Sequence, residues 1–429
     1  MAICQCCSRE HHAGFIATRL TGTHGVSRAT EKWRRIFEKE GITCFYFAGE
    51  LDRDPQCSYL VGEAHYQHPL IREINRHCFG THQRDRATTR QIHQIKSRLK
   101  DHLYSFIEKY NIDLLVAENC LALPLNIPLA MALTELVSET GITTIAHHHD
   151  FFWERRQFRD NAIGEYLDMA FPPRIPSIHH VALSATASQQ LSLRKGLSAT
   201  VITNGMDFET PPPPMDEFAA DARQALGLKD HELLVLQPTR VVERKGIEQA
   251  VEFVQRLGTK SKLVISHASG DEGYDYQKRV WEYSRELGVE TLLVSDIING
   301  RRGRTPDGRK IYAIEDIYAH ADLVTYPSDM EGFGDAFLEA IYYRKPILVN
   351  SRSIYSTDLR PKGFAVIEID GWVSRPATRL AKKVLRDKDF RSKMADHNYN
   401  IALRHFSHAV LAHKLKSLLA DCLSCLIDG

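Results

Sequence analysis

The sequence lacks any apolar stretch close to the roughly 20 residues that a membrane-spanning helix needs, so no span is expected. Its opening, MAICQCCSREHHAGF, has no basic region followed by the apolar run of a secretory signal, and reduced thiols in a cytoplasmic protein are expected. An excess of charge is missing too. The 55 Lys and Arg residues nearly cancel 54 Asp and Glu, for a formal net charge of +1. Nucleic acid is therefore not an expected partner, because phosphate backbones need a concentrated basic surface. Cys4, Cys6, Cys7, His11 and His12 crowd together, yet no second CxxC half follows at zinc-site spacing. That segment reads as a fluctuating tail. There is no internal repeat, and no low-complexity tract beyond four consecutive prolines.

What is present is a long βα alternation. The 429 residues, 43% hydrophobic, are enough for two or three domains. Residues 14–20 form an apolar-rich run, and a polar loop at 21–27 follows. Trp33, Ile36 and Phe37 then share one face of a helix over 28–40, which Gly41 ends before the β-rich run 42–48. Further strands are expected at 113–116, 142–146, 179–184 and 200–203, with a helix around 128–139. The helix at 90–108 is basic but mixed in charge and reads as a solvated surface helix, not a membrane-docking one.

Prolines at 211–214 can continue neither a helix nor a central strand, so the interdomain connection is expected near 205–228. A second series follows: strands at 233–237, 262–266, 290–295, 323–326, 346–350 and 365–369, with helices at 246–257, 275–287 and 336–343. Two α/β series predict two Rossmann-like doubly wound domains facing across a cleft, with ligands at the carboxyl ends of the strands. The expected boundaries are 1–207, 208–405, and a C-terminal helix at 406–429 that packs back on the N-terminal domain.

Four segments carry chemistry. In PSDMEGFGDAFLEA, Glu331 and Glu339 lie eight residues apart around a Gly-Phe-Gly turn that opens an apolar helix. The glycines allow close backbone approach, the helix start offers free amides to an anion, and Asp335 could cap it. In QPTRVVERKG, Arg240 and Lys245 can converge on a diphosphate, while Arg244 reads as facing solvent. Gly22 and Gly25 in TGTHGVS could bring amides against phosphate, although neither a G-x-G-x-x-G fingerprint nor a P-loop is present. The fourth segment is AHHHDFFWERR, residues 146–156. Strand alternation sends His148 away from His147 and His149, so three adjacent histidines need not meet at one ion. Trp153 could wall a sugar face or simply pack in the core.

EGFGDAFLE resembles the E-x7-E motif of the family-4 retaining glycosyltransferases, and residues 320–353 share that family's character. The resemblance implies the GT-B fold and a retaining transfer of a hexose from a nucleotide-sugar. It implies that Arg240 and Lys245 clamp the diphosphate, that Glu331 takes sugar hydroxyls, and that Glu339 takes the ribose. Gly25, Ile297, Gly332, Phe333, Gly334, Phe337 and Leu338 would complete the donor site. The family carries a histidine near the donor sugar after this strand, and a basic residue a few positions later. His149 with Arg155 fits that spacing best, with His147 second. His147, Trp153 and Arg155 are the candidates for contact with the acceptor. Asn204-Gly205-Met206-Asp207 resembles the family's step into the hinge, and Gly270–Gly273 is read as a turn.

HHDFFWER and the stretch around EGFG are most similar to members acting on small soluble glycosides, of the mannosylglucosylglycerate-synthase kind. The donor implied is GDP-mannose, with UDP- or ADP-glucose and a sucrose- or trehalose-type acceptor as the alternative. No cofactor is implied and no metal held by side chains is expected; a divalent ion accompanying the donor, and oligomerisation, stay open. A GT-B sugar-nucleotide epimerase carries its acidic groups elsewhere, and a binding-only scaffold would not need Glu331, Glu339, Arg240 and Lys245 together.

Overall fold

Strands buried on both faces read as continuous apolar runs, and those runs build two parallel sheets here. The structure is a computed structural model that describes residues 10–22, 25–269, 274–329, 333–352 and 354–424. The chain divides into one unit of Met1–Asn204 with Leu411–Gly429 and a second of Gly205–Val410.

In the first unit the strands are β1 (His11–Ile16), β2 (Ile42–Ala48), β3 (Ser58–Leu60), β4 (Leu114–Glu118), β5 (Thr143–His148), β6 (Ile178–Ala182) and β7 (Thr200–Val201). Their order is β3-β2-β1-β4-β5-β6-β7, with every pairing parallel. β4 and β5 are buried at every position. The order reverses between β1 and β4, and an open sheet of this kind binds ligands beyond the carboxyl ends at such a switch.

β1 begins earlier than expected, so His11 and His12 belong to a strand and not to a tail. His11 Nδ1 lies 2.7 Å from Asp113 Oδ2, and His12 Nδ1 donates to the Tyr110 carbonyl at 2.6 Å. Cys4, Cys6 and Cys7 fall outside the described residues. Helix Gly25–Lys39 buries Ala29, Trp33, Ile36 and Phe37, while Glu31 pairs with Arg34 and Arg35 on the other side. The basic helix runs Arg86–Tyr110 and is more than a solvated one. Ile92, Ile95, Leu99, Leu103 and Phe106 are buried, and Lys96 and Lys100 pair with Glu135 on helix Ile127–Thr140.

The last helix, His408–Ser424, supplies Leu411, Leu415, Leu418, Leu419 and Cys422 to the core that holds Phe15, Trp33 and Phe37. Each fully buried leucine contributes on the order of 1.5–3 kcal/mol, so this segment is a substantial part of the first unit's stability. No helix among the described residues is long and apolar enough to cross a membrane.

The second unit holds β8 (Leu233–Arg240), β9 (Ser261–His267), β10 (Glu290–Leu293), β11 (Ile298–Asn299), β12 (Gly303–Arg304), β13 (Lys310–Ala313), β14 (Leu323–Tyr326), β15 (Ile347–Asn350) and β16 (Ile367–Ile369). The main sheet has the order β10-β9-β8-β14-β15-β16, again all parallel, and its switch lies between β8 and β14. A small sheet, β11-β13-β12, is an addition that the sequence reading did not anticipate. Two of its strands have only two residues, too few to show a period of two.

Candidate active site

In the first unit the end of β5 divides the three histidines as strand alternation requires. His148 turns to one side, where its Nε2 lies 2.9 Å from His180 Nδ1. Both rings are buried, and burial pushes His180 down to about 4 and His148 well below the ordinary histidine value. His147 and His149 turn to the other side and converge on Glu118, the last residue of β4. Glu118 Oε2 lies 2.9 Å from His147 Nδ1 and 3.1 Å from His149 Nε2.

The backbone dictates this meeting, since Glu118 and His147 are register partners in the parallel ladder. Asn119, left-handed at φ 59°, turns the chain and accepts the His149 amide on its Oδ1 at 3.0 Å. The indole of Trp33 stacks on the His147 ring at 4.1 Å. Burial opposes the charged form of Glu118, but the imidazoles of His147 and His149 outweigh it and hold the carboxyl at about 2. Burial lowers His147 despite the nearby carboxylate. Glu118 Oε1 and His147 Nε2 are buried with no hydrogen-bond partner among the described residues.

Beyond β5, Arg155 is committed to Asp150, donating from Nε at 2.7 Å. It therefore enters any ligand chemistry as one half of an ion pair. Trp153 stacks on Phe151 at 4.5 Å, with Arg194 5.5 Å from its ring centre, so its indole belongs to a local core. Glu154 accepts the Phe151 amide at 3.1 Å, and burial, aided by Asp150, pushes its carboxyl up to about 7. Gly25 is the exposed first residue of its helix, with open space where a side chain would stand; Thr23 and His24 lie outside the described residues.

In the second unit the groups flank the β8–β14 switch. Arg240 closes β8. Lys245 does not begin the next helix but ends a single 3-10 turn, Glu243–Lys245, and its Nζ stands 6.0 Å from the centre of the Tyr326 ring at the end of β14. Gly246 separates that turn from helix Ile247–Leu257 with φ +61°, and a Cβ there would fall 2.5 Å from the Pro327 carbonyl oxygen. Only glycine permits this approach. Arg244 is half-buried, not solvent-facing, and its carbonyl accepts the Asp329 amide at 3.0 Å. Asn350 donates from Nδ2 to Asp329 Oδ1 at 2.7 Å, so the cation-bearing loop and the acidic turn are tied together.

Met330, Glu331 and Gly332 lie outside the described residues, as do Gly270–Gly273. Past them Gly334, at φ +95°, caps helix Asp335–Tyr342; Asp335 is its first helical residue and not its cap. Phe333 is buried against Phe406, Phe337 against Phe364, and Leu338 is buried as well. Their side chains are core, and only their backbone is left to meet a ligand. Glu339 is half-buried and accepts from Tyr318 Oη at 3.0 Å. Ile297 sits in the turn after β10, where its amide donates to Val294 O and its carbonyl accepts from Tyr312 N at 2.8 Å. In the segment 204–207, Met206 bridges to Ser407 and Asp207 Oδ1 accepts the Thr210 amide at 3.2 Å.

Glu118 is the residue that reading the sequence missed. Its signal was a carboxylate closing the otherwise apolar strand LLVAE, one strand away from the histidines.

No family model matches the chain. It is 28% identical over 378 residues to a mannosylglucosylglycerate synthase of Petrotoga mobilis, covering 83% of this chain and 86% of that protein. It is 26% identical over 418 residues to the synthase of the same name from Thermotoga maritima, covering 89% and 93%. Among solved structures it resembles a glycosyltransferase from Rickettsia africae ESF-5 with a TM-score of 0.65 at 14% identity, over 97% of this chain and 99% of that one. The structural likeness gives the fold, GT-B, and with the curated relatives it defines the class: the chain is a glycosyltransferase. Within that class it resembles the mannosylglucosylglycerate synthases.

Proposed function

We propose that the protein is a retaining, nucleotide-sugar-dependent hexosyltransferase that moves mannose from GDP-mannose to a small soluble acceptor of the glucosylglycerate kind. The observation that carries this reading is the likeness to two mannosylglucosylglycerate synthases along most of the chain. The groups around the β8–β14 switch support it. Arg240 and Lys245 supply two cations for a departing diphosphate, and the start of helix Asp335–Tyr342 adds backbone amides. Glu339, steadied by Tyr318, is suited to a ribose diol, and Glu331 to sugar hydroxyls.

In this proposal the nucleoside diphosphate leaves and the acceptor hydroxyl attacks on the same face, passing its proton to the leaving diphosphate. Groups that gain strength as that charge develops lower the barrier, whereas equal binding of ground and transition states would not. His149 orients the donor sugar, held in place by Glu118 and Asn119. The reading further takes the protein to be soluble and cytoplasmic.

The test is a thermal-shift panel of GDP-mannose, UDP-glucose, ADP-glucose and UDP-N-acetylglucosamine with the free diphosphates, followed by transfer assays with glucosylglycerate. A ligand that binds only the folded state raises its apparent stability. Selective stabilisation by GDP-mannose together with product formation supports the proposal. Selectivity for UDP- or ADP-glucose moves it to a glucosyltransferase, and no response at saturation removes the donor reading.

A further inference from the structure

We propose that Glu118, His147 and His149 form a binding site for one divalent transition-metal ion of the zinc type. The three donor atoms lie within 4.8 Å of one another. The inference goes beyond the proposed transfer and does not depend on which sugar nucleotide the enzyme uses.

Three features carry it. The first is strand geometry: His147 and His149 stand at i and i+2, hence on one face, and the ladder sets Glu118 directly beside His147. Convergence of Glu118 and His147 is therefore built into the sheet, and His149 joins them as the first residue past β5. The second is the donor set. Two imidazole nitrogens and one carboxylate oxygen suit zinc, cobalt or nickel, whereas calcium and magnesium prefer oxygen alone. The separations of 2.9 and 3.1 Å fall a few tenths short of the roughly 3.3–3.5 Å edge of a tetrahedron with metal–ligand bonds near 2.0–2.2 Å, a small adjustment for side chains.

The third is charge. Glu118 is fully buried, and its ionic partners among the described residues are those two imidazoles, with no lysine or arginine paired to it. A buried carboxylate requires pairing or coordination to a cation, and a divalent ion meets that need. From outside the set, the His147 ring is held by its stack on Trp33, and the His149 backbone by the Asn119 side chain. His149, whose side chain is 12% exposed, is the member through which an ion and a fourth ligand, water or substrate, would enter. The neighbouring His148 takes no part because it faces His180.

The experiment strips the purified full-length protein with a chelator, restores Zn²⁺ or Co²⁺ alone by equilibrium dialysis, and reads metal content by mass spectrometry and the Co²⁺ visible spectrum. The chain has nine cysteines, which also take soft metals, so the readout is the difference between parent and variant. Glu118→Gln and His149→Ala should each lose one equivalent, their affinity falling by more than the roughly 10–100-fold that loss of an outer-shell partner costs. His179→Ala, a partly exposed histidine of β6, should keep it. Circular dichroism checks folding; should Glu118→Gln fail to fold, the more exposed His149→Ala decides. Equal metal content in the parent and His149→Ala, or well under one equivalent in the parent, would overturn the site.

Discussion

The carboxyl ends of the two sheets are built on opposite plans. At the first, Glu118, His147, His149, Asp150 and Arg155 pair with one another across neighbouring strands and turns, Glu118 and His147 buried and the other three half-buried. At the second, the cations and Glu339 ride on separate elements tied together by backbone contacts, Arg244 to Asp329 and Gly246 against Pro327. The first plan stores its chemistry in side-chain pairing, and the second in chain geometry that glycine makes possible. A substitution should therefore act differently in the two places.

The largest effect is expected in the second unit. Glu331→Ala should lower kcat by roughly 10²–10³-fold, the scale of removing one group aimed at the transition state, while the melting curve stays unchanged. Steady-state transfer from GDP-mannose checks it, and retained turnover would break the comparison at its most active point. Next, His149→Ala should impair transfer more than His147→Ala. Loss of one hydrogen bond of about 1.5 kcal/mol corresponds to about tenfold in rate, and the reverse order would reassign the sugar-facing role.

A smaller effect tests geometry alone. Gly334→Ala forces a side chain into φ +95° with its Cβ 2.7 Å from Tyr326 Oη, and should lower unfolding free energy by about 1–3 kcal/mol in a denaturant titration. No comparable penalty is expected for Gly25→Ala, where nothing among the described residues stands within 4 Å.

The most gradual effect, small at any one pH step, is the pH response of the first unit. His180 is held at about 4 when folded, so between pH 6.5 and about 4 the unfolded chain takes up a proton that the folded chain refuses. Stability then falls as pH falls, by at most about 1.4 kcal/mol per pH unit. Glu154 works the other way. Its carboxyl, raised to about 7, stays protonated in the fold while the unfolded chain releases its proton above 4.5, so stability falls as pH rises toward 7. Glu154→Gln removes this opposing slope, and melting temperatures measured from pH 7 down to 4.5 should fall more steeply than in the parent.

The same contrast explains what could be read from the sequence. The second unit's features are contiguous. The strand at 323–326 is found where expected, and a Gly-Phe-Gly turn followed by an apolar helix is visible as a string. Local patterns also gave the helix at 128–139 and most strands of both sheets, within a few residues. Glu118 was hidden because its partners are 29 and 31 residues away and meet it only through strand pairing. The charges on helix Arg86–Tyr110 looked solvated because Glu135 and Glu139, which pair with them, lie on another helix. Asp335 is a candidate cap by residue type, but the positive φ needed one residue earlier gives that position to glycine.

The first unit is interrupted in the chain: residues 205–410 form the second unit before Leu411, Leu415, Leu418 and Leu419 return to the first unit's core. A ribosome making this protein thus releases an N-terminal sheet that lacks one of its covering helices for the time needed to synthesise about 200 residues, roughly 10–40 s at ordinary elongation speeds. The inserted unit is itself complete only once residue 410 has been made, so the first unit waits through the whole of that synthesis for its last covering helix. The unit begun first is thereby the last to receive all of its chain.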